Sequence, residues 1–314
     1  MINVEKLTKS FGPKLAVDHI TFTVAKGEVL GFLGPNGAGK STSMRMITGY
    51  LPATEGTVTI GGFDIAENSL EARRRIGYLP ENAPIYSDMS VAGFLSFCAE
   101  MRGLYGSAKT EAIDRVVEIC FLNRVMQQSV DTLSKGFRHR TCLAQALIHD
   151  PEVLILDEPT DGLDPNQKYE VRSLLRRLGT DKAIVFSTHI LEEVEAACTR
   201  ALIIDQGRIV AIGTPQELKS QSPLAGTIVL TVNGAEKQWL VSQLAALPTV
   251  SQCDVLSAAD NRVTVRLVPK GQVLPELLAL AGRSSWKVEN IQLDEGRLDD
   301  VFRAITLPDT KTAA

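Results

Sequence analysis

The pattern of apolar and polar residues in the first part of the chain predicts two kinds of β-strand. Ile20, Phe22 and Val24 alternate with threonines, so one face of a strand there is apolar and the other polar. This alternation indicates a small antiparallel sheet. Short, nearly continuous apolar runs are instead typical of parallel strands that are buried on both faces. Such runs lie at 29–34, 153–156 and 183–186.

Apolar residues at helical spacing predict helices between these strands. The clearest helix follows Asp164, an N-cap residue, and Pro165, which suits the first helical position. Its apolar residues recur at helical spacing over 171–178, and Gly179 is predicted to end it. Such an apolar stripe must pack on the sheet. The segment 90–128 is also mostly helical in pattern and has no strand-like run, which predicts a helical lobe.

The character of the sequence changes after a polar, turn-rich stretch at 220–226, where we place a linker. We predict a first domain of the α/β class over 1–219, with an antiparallel β subdomain and a helical lobe over about 90–150. A second, smaller α+β domain is predicted over 227–308, followed by a tail at 309–314.

The predicted second domain alternates strand-like and helix-like segments. This order predicts a βαββαβ, ferredoxin-like arrangement. A final amphipathic segment, RLDDVFRAIT at 297–306, is predicted to dock on a neighbouring surface. The strand-like pieces lie around 228–232, 263–267 and 288–291, and the helix-like pieces lie around 241–247 and 272–282.

Composition and charge narrow the classes of partner. The 314 residues carry a formal net charge of −4. They therefore lack the broad basic field that duplex-binding proteins use, and we expect no nucleic-acid partner. The five cysteines include no CxxC pair, which favours reduced core residues over a metal site or a disulfide framework. No apolar run approaches the roughly 18 to 20 residues that span a bilayer, and the N-terminus lacks a signal-peptide pattern, so we expect a soluble, cytoplasmic protein.

The sequence GPNGAGKST has the pattern GxxxxGK[ST], follows a predicted strand and precedes a predicted helix. In such a loop, backbone N–H groups close around phosphate oxygens and the helix N-terminus adds positive potential. Lys40 would reach the β- and γ-phosphates, and Ser41 would ligate Mg²⁺. A glycine-rich turn with an ordinary surface lysine is the alternative. The predicted loop residues are Gly34, Pro35, Asn36, Gly37, Ala38, Gly39, Lys40, Ser41 and Thr42.

Two adjacent carboxylates, Asp157 and Glu158, follow the apolar run at 153–156. Ligands of open α/β sheets bind at the carboxyl ends of strands. We predict that Asp157 supports Mg²⁺ and that Glu158 orients or deprotonates the water that attacks the γ-phosphate. Solvated acidic residues at a strand end are the alternative, but a phosphate-binding loop in the same chain favours the catalytic interpretation.

Further motifs give the sequence a family resemblance. LSKGF at 133–137, DGLD at 161–164 and STH at 187–189 follow one another in the chain. Together with the two motifs above, they make residues 1 to about 218 resemble the nucleotide-binding domains of ABC transporters. The resemblance implies a P-loop ABC-type fold and hydrolysis of ATP with Mg²⁺. It also implies a head-to-tail homodimer with ATP at its interface, and separate membrane permease subunits as partners.

The resemblance assigns roles to the residues of LSKGF. The family's signature motif, LSGGQ, binds the γ-phosphate of an ATP molecule held by the opposite subunit, and here it corresponds to Leu133, Ser134, Lys135 and Gly136, followed by Phe137. Ser134 also suits an N-cap, which would present a helix N-terminus to phosphate. Lys135 and Phe137 replace the family's glycine and glutamine. Lys135 would either complement phosphate charge or face solvent.

The remaining implied roles fall on single residues. The D-loop, which crosses between the subunits, ends at Asp164, and His189 matches the switch histidine that contacts the γ-phosphate. Phe11 matches the aromatic residue that stacks on adenine, with Val17 nearby, although a core or edge-strand aromatic is the alternative. Glu81 stands where the family most often has glutamine, a residue that touches Mg²⁺ and couples the helical lobe to nucleotide.

Glu81 in its LPENAPIY setting, the LSKGF motif and LDDVF near the carboxyl end together resemble the ATPase subunits of ABC-2-type exporters, including the gliding-motility-type branch. We therefore expect a motor subunit held on the cytoplasmic face of the membrane by a permease that docks near 81–89 and the helical lobe. The chain carries only one phosphate-binding loop and one pair of adjacent carboxylates, which predicts a homodimer. A non-transport ABC ATPase of translation or DNA repair is the main alternative, but the chain shows neither tandem nucleotide domains nor long coiled coils. A regulatory module that holds ATP without cleaving it is disfavoured by Glu158 and His189.

Overall fold

The computed structural model describes residues 1–81, 85–86, 88–259, 261–284 and 286–306. The chain divides into two compact units, Met1–Pro215 and Gln216–Ala314. The division falls within the predicted 1–219 segment. The predicted tail at 309–314 lies outside the described residues, as do 307 and 308 of the predicted second domain.

The first unit contains an antiparallel sheet and a mainly parallel sheet. Its strands are β1 (Ile2–Phe11), β2 (Lys14–Val24), β3 (Val29–Leu33), β4 (Glu55–Ile60), β5 (Phe63–Asp64), β6 (Ile76–Leu79), β7 (Val153–Asp157), β8 (Ala183–Thr188), β9 (Arg200–Asp205) and β10 (Arg208–Gly213). The antiparallel sheet has the order β2-β1-β4-β5, and the second sheet has the order β10-β9-β3-β8-β7-β6. Neighbours in the second sheet are parallel except for β9 and β10. The parallel strands predicted from the apolar runs are therefore confirmed as β3, β7 and β8.

Helices flank the sheets of the first unit. They are α1 (Lys40–Ile47), α2 (Ser69–Arg74), α3 (Val91–Met101), α4 (Gly106–Ile119), α5 (Lys135–Leu147), α6 (Pro165–Leu178) and α7 (Leu191–Ala197). Helix α8 (Pro215–Lys219) begins at the last residue of the first unit and continues into the second. Helices α3, α4 and α5 pack on one another within the predicted helical lobe. Helix α6 begins and ends as predicted. Asp164 accepts a hydrogen bond from the Gln167 N–H at 2.9 Å, Pro165 is the first helical residue and Gly179 is the C-cap.

Alternate residues of the central strands face different cores. In β7, Leu154 and Leu156 pack with the helical lobe, whereas Val153 and Ile155 pack with α1 and the antiparallel sheet. Burial on both faces explains the nearly continuous apolar sequence of this strand. The packing also fixes the carboxyl ends of β3, β7 and β8, where the polar residues of the predicted site begin.

The second unit is built on a four-stranded antiparallel sheet with the order β12-β13-β11-β14. Its elements are β11 (Ile228–Asn233), α9 (Lys237–Ala245), β12 (Val250–Ala259), β13 (Arg262–Pro269), α10 (Val273–Arg283), β14 (Lys287–Leu293) and α11 (Leu298–Ile305). Leu240 and Leu244 of α9 and Leu277 of α10 pack in one core with the inward residues of β11 and β13. The elements from β11 to β14 run in the order βαββαβ, and β12 corresponds to none of the strand-like pieces seen in the sequence. No helix in the described part of the chain is both long and apolar enough to cross a membrane.

The last helix, α11, has a buried apolar face and a hydrogen bond to the predicted linker. Leu298 and Val301 on α11 are buried. The predicted linker also contributes to this unit, because Ser222 is buried and its hydroxyl donates to Asp300 Oδ2 at 3.3 Å. The amphipathic pattern of the final segment therefore corresponds to the buried face of α11.

Candidate active site

A tight loop joins β3 to α1, and some of its glycines have no room for a side chain. A Cβ atom on Gly34 would lie 2.4 Å from the carbonyl oxygen of Ile204, and one on Gly39 would lie 2.7 Å from that of Ala16. Gly39 also has a φ of +109°, which other residues rarely adopt. The loop ends at the N-terminus of α1, whose first N–H groups have no partner within the helix and suit an anion.

The Lys40 side chain lies inside this loop and is only 6% exposed. Its Nζ donates hydrogen bonds to the carbonyl oxygens of Gly34 at 2.7 Å and Pro35 at 3.2 Å. It also lies 3.7 Å from Glu158 Oε1. Burial lowers the pKa of Lys40, while the carboxylates of Glu158 and Asp157 act in the opposite direction. The ammonium group is thus enclosed by acceptors at the place where a phosphate would bind.

Asp157, at the end of β7, is fully buried and faces two hydroxyl groups. Ser187 Oγ donates to Asp157 Oδ1 at 2.5 Å, and Ser41 Oγ donates to the same oxygen at 3.2 Å. The other oxygen, Oδ2, is buried and has no hydrogen-bond partner among the described residues. A buried carboxylate oxygen without a partner is costly, and a metal ion bound beside the phosphate loop would satisfy this one.

Glu158 faces a different set of partners from its neighbour. Its backbone is left-handed, with a φ of +51°, and its N–H donates to Ser187 Oγ at 2.9 Å. Its Oε2 lies 3.0 Å from His189 Nδ1. Burial raises the pKa of Glu158, and the nearby His189 and Lys40 oppose that rise. Adjacent carboxylates are therefore held in distinct surroundings, one next to hydroxyl groups and one next to a histidine and a lysine.

A cavity of about 700 Å³ brings most of the predicted site together. The phosphate loop, Phe11, Glu81, Glu158 and His189 all line it. Lys14, Ala16 and Asp161 line it as well, although the sequence patterns did not assign them to a phosphate or adenine site. The residues that line the cavity are Phe11, Lys14, Ala16, Asn36, Gly37, Gly39, Lys40, Ser41, Thr42, Glu81, Glu158, Asp161 and His189.

The hairpin of β1 and β2 forms part of the cavity wall. Phe11 is 49% exposed there, its position pairs with Lys14, and Lys9 Nζ lies 5.3 Å from the centre of its ring. Val17, predicted to lie near adenine, is fully buried beneath Gly39 and does not line the cavity. Its neighbour Ala16 lines the cavity instead. Lys14 pairs with Phe11 in the hairpin, whereas Ala16 lies at the register shift between Leu15 and Val17, for which the sequence gives no signal.

Comparison with known proteins shows which family the chain, with its phosphate loop and adjacent carboxylates, belongs to. Residues 17–161 match the family model described as ABC transporter. The linearmycin resistance ATP-binding protein LnrL of Bacillus subtilis is 34% identical over 308 residues, covering 98% of this chain and 98% of that protein. The chain belongs to the ABC transporter ATP-binding family.

Two further similarities agree with this ABC assignment. The Nod factor export ATP-binding protein I of Sinorhizobium fredii is 36% identical over 242 residues, covering 77% of this chain and 70% of that protein. The dimeric structure of MJ0796, described as a bacterial ABC transporter cassette, has a TM-score of 0.64 and 22% identity, covering 68% of this chain and 99% of that chain. The MJ0796 likeness shows the fold. ATP binding and ATP hydrolysis coupled to transport follow from the family.

In this ABC ATPase the signature residues do not themselves line the cavity of their own chain. Leu133 is buried, and Ser134 caps α5 by accepting a hydrogen bond from the Phe137 N–H at 3.3 Å. A Cβ atom on Gly136 would lie 2.2 Å from Gln167 Oε1. Leu133, Ser134, Lys135 and Gly136 are absent from the residues that line the cavity.

Lys135 binds a carboxylate of the D-loop. Its Nζ donates to Asp161 Oδ2 at 2.9 Å, and this hydrogen bond holds the pKa of Asp161 below its usual range. Both side chains are more than half exposed, so water screens the pair and its contribution to stability is small. At the other end of the D-loop, Asp164 is engaged as the cap of α6. Lys135 therefore has a partner within its own chain.

Proposed function

We propose that this chain is the ATP-hydrolysing motor of an ABC-2-type exporter and works with separate permease subunits. The observation that carries the proposal is the meeting of Lys40, Glu158 and His189 in one cavity, with His189 Nδ1 3.0 Å and Lys40 Nζ 3.7 Å from the oxygens of the Glu158 carboxylate. The relatives named for linearmycin resistance and for Nod factor export support export as the direction of transport.

Asp157 and Ser41 fit a magnesium ion beside the phosphate loop. Asp157 offers the buried, unpartnered Oδ2, and Ser41 Oγ lies 3.2 Å from the other oxygen of the same carboxylate. Oxygen ligands of these kinds are those that Mg²⁺ prefers. Glu81 lines the same cavity and is the third residue that we propose for the ion. When bound, Mg²⁺ neutralises charge on the phosphates.

Glu158 and His189 are placed to act on the water that attacks the γ-phosphate. We propose that the Glu158 carboxylate orients this water or accepts its proton, which requires the ionised form. His189 and Lys40 favour that form against the effect of burial. His189 would then contact the γ-phosphate, while Lys40 balances the phosphate charge. Phe11, which lines the same cavity, would stack on adenine through its exposed face.

The signature residues would complete the site of a second copy of the chain. Ser134 caps the 13-residue helix α5, whose first N–H groups suit a phosphate. Ser134 and Gly136 do not line their own chain's cavity, which supports a head-to-tail homodimer with ATP between the phosphate loop of one subunit and the signature of the other. The D-loop, ending at Asp164, would cross between the subunits in this dimer. The related cassette MJ0796 has a dimeric structure.

A second cavity, of about 620 Å³, is the proposed docking surface for a permease helix. Exposed apolar side chains at its edge suit the apolar face of such a helix, and its arginines suit acidic residues on the same helix. Docking there would hold the chain on the cytoplasmic face of the membrane. Part of the predicted docking segment 81–89 lies outside the described residues. The apolar side chains are Tyr50, Leu70 and Met101, and the arginines are Arg73, Arg74 and Arg102.

The second unit would be a ferredoxin-like accessory domain, as its element order and sheet order suggest. We propose that it supports the dimer or regulates the ATPase. Deletion of 227–314 tests this role, with ATP-dependent dimerisation as the measurement. An unchanged monomer–dimer equilibrium and unchanged ATP turnover would contradict it.

The proposed site is tested by ATP hydrolysis of the purified chain. Glu158→Gln and His189→Ala should each lower turnover by about 100-fold or more, because each removes a group placed at the attacking water. Glu192→Gln, an exposed substitution on α7, is the matched control and should leave turnover unchanged. Full turnover in either site variant would contradict the assignment. A wild-type chain that binds ATP without turnover would instead favour the regulatory module.

A further inference from the structure

Glu193, on α7, is a buried acidic residue that lies outside the ATP cavity. Its residue exposure is only 1%. Oε1 accepts a hydrogen bond from Thr160 Oγ1, and Oε2 accepts one from Thr188 Oγ1 at 2.7 Å. No described lysine, arginine or histidine forms an ion pair with it. Burial of a carboxylate is costly, so the threonine hydroxyl groups are what make this position tolerable.

One of these threonines precedes the switch histidine. Thr188 is the last residue of β8, and its Oγ1 also accepts a hydrogen bond from the Ile190 N–H at 3.0 Å. The same hydroxyl therefore joins the backbone after His189 to the Glu193 carboxylate. This arrangement fixes the chain on both sides of His189.

The other threonine lies in the turn that follows Glu158. The Asp161 N–H donates to the Glu158 carbonyl at 3.1 Å, and the Leu163 N–H donates to the Thr160 carbonyl at 3.2 Å. Thr160 is itself buried. Glu158 has a left-handed backbone, which glutamate adopts only when its surroundings hold it there. Anchoring Thr160 to Glu193 holds the turn in which this conformation begins.

We infer that Glu193 is a positioning residue that sets the contact between Glu158 and His189 by joining the segments that carry them. The Glu158–His189 distance of 3.0 Å depends on two loops that are 31 residues apart in sequence. Glu193 is the side chain that accepts hydrogen bonds from both. The inference rests on the proposed catalytic roles of Glu158 and His189.

The test compares Glu193→Ala and Glu193→Gln with Val194→Ala. Val194 is the adjacent buried residue of α7 and faces β3, so its truncation lowers stability without touching either threonine. Steady-state ATP hydrolysis of the full chain is measured together with the unfolding midpoint of each variant. Glu193→Ala should lower kcat about tenfold to a hundredfold, because small displacements of reacting groups have effects of that size, while KM for ATP stays within about threefold.

The conservative variant should restore most of the activity. In Glu193→Gln, the side-chain oxygen would accept from one threonine and the amide would donate to the other, so kcat should stay within about threefold of the wild-type value. Val194→Ala should keep kcat within about twofold. If Glu193→Ala does not fold, the nearly isosteric Thr160→Val removes one hydrogen bond and should lower kcat at least about threefold with the same KM.

Any one of three results would overturn the inference. Glu193→Ala could keep the wild-type kcat, or Glu193→Gln could be as slow as Glu193→Ala. Val194→Ala could also lose as much kcat as Glu193→Ala while having the same unfolding midpoint as that variant. Parallel measurements on Glu158→Gln and His189→Ala separate this failure from that of the proposed site. If both of those variants retain turnover, the site assignment is wrong. If both lose it and Glu193→Ala remains active, only the inference about Glu193 fails.

Discussion

Ser187 joins the two adjacent carboxyl residues of the site, and its removal should damage both stability and hydrolysis. The hydroxyl donates to Asp157 Oδ1 at 2.5 Å and accepts from the Glu158 N–H at 2.9 Å. Ser187 is fully buried, so water cannot replace either bond without a rearrangement. Ser187→Ala keeps the β8 backbone and removes only this oxygen.

The expected size follows from the two bonds. A buried hydrogen bond to a charged group contributes about 1.5–3 kcal/mol, and an unsatisfied buried N–H costs about 1–3 kcal/mol. Asp157 keeps its hydrogen bond from Ser41 at 3.2 Å, which limits the loss. We expect Ser187→Ala to lower the free energy of unfolding of the first unit by about 3 kcal/mol. We also expect kcat to fall about tenfold or more, because Glu158 loses the anchor of its backbone.

Hydrogen exchange followed by mass spectrometry resolves the unit concerned. Peptides that cover β7 and β8 should exchange faster in Ser187→Ala, whereas peptides from α9 and α10 in the second unit serve as an internal reference. Ser284→Ala is the control substitution, because its hydroxyl donates to the Leu280 carbonyl in the second unit. A change of less than about 1 kcal/mol in the first unit, with wild-type kcat, would refute the reasoning.

Three further predictions concern pH, adenine and packing. Burial raises the pKa of Glu158 in the nucleotide-free chain above its ordinary value of 4.5, and only the ionised form can accept a proton, so kcat/KM should fall on acidification through a pKa above 4.5; a kcat/KM profile that is flat down to pH 4.5 would contradict this. Phe11→Ala should raise KM for ATP about fivefold with little change in kcat, since it removes stacking of about 1 kcal/mol; an unchanged KM would argue for a structural aromatic. Gly77→Ala should destabilise the first unit by about 3 kcal/mol in urea unfolding, because its Cβ would lie 2.2 Å from the Ala146 carbonyl oxygen; a loss below about 1 kcal/mol would contradict that close contact.

Local signals made the first unit's central elements predictable. Helix α6 follows from an Asp N-cap, a proline in the first turn and a glycine at the end, all of which act within a few residues. The strands β3, β7 and β8 follow from apolar runs that burial on both faces requires. The signal for the phosphate loop is equally local, because close contacts and backbone conformation require glycine at fixed positions in the motif.

Edge strands and bulges limited the prediction. Strand β12 lies at the edge of its sheet and most of its side chains are exposed, so it has little apolar alternation to detect. In β2, the pairing with β1 shifts in register near His19, whose φ is +50°. That irregularity places Val17 on the buried face and Ala16 on the cavity side. An alternation read without the bulge cannot show this.

Contacts between distant residues were beyond the sequence patterns. Lys135 binds Asp161, which lies 26 residues further along the chain. The sequence offered two roles for Lys135, complementing phosphate charge or facing solvent, and neither included this pair. Glu193 looks like an ordinary acidic residue of an amphipathic helix. Its two threonine partners become visible only when β8, α7 and the turn after Glu158 are placed together. Such residues belong to the tertiary structure rather than to a local pattern.

The most direct test of the composite ATP site is the solution mass of Glu158→Gln with Mg-ATP and then with Mg-ADP. This variant should bind ATP without cleaving it, so the ATP-bound dimer should accumulate. We predict a mass of twice the 34.1 kDa of one chain with Mg-ATP, and the mass of one chain with Mg-ADP. A monomer with both nucleotides, at concentrations where ATP binding is saturated, would contradict a site completed by the signature residues of a second copy.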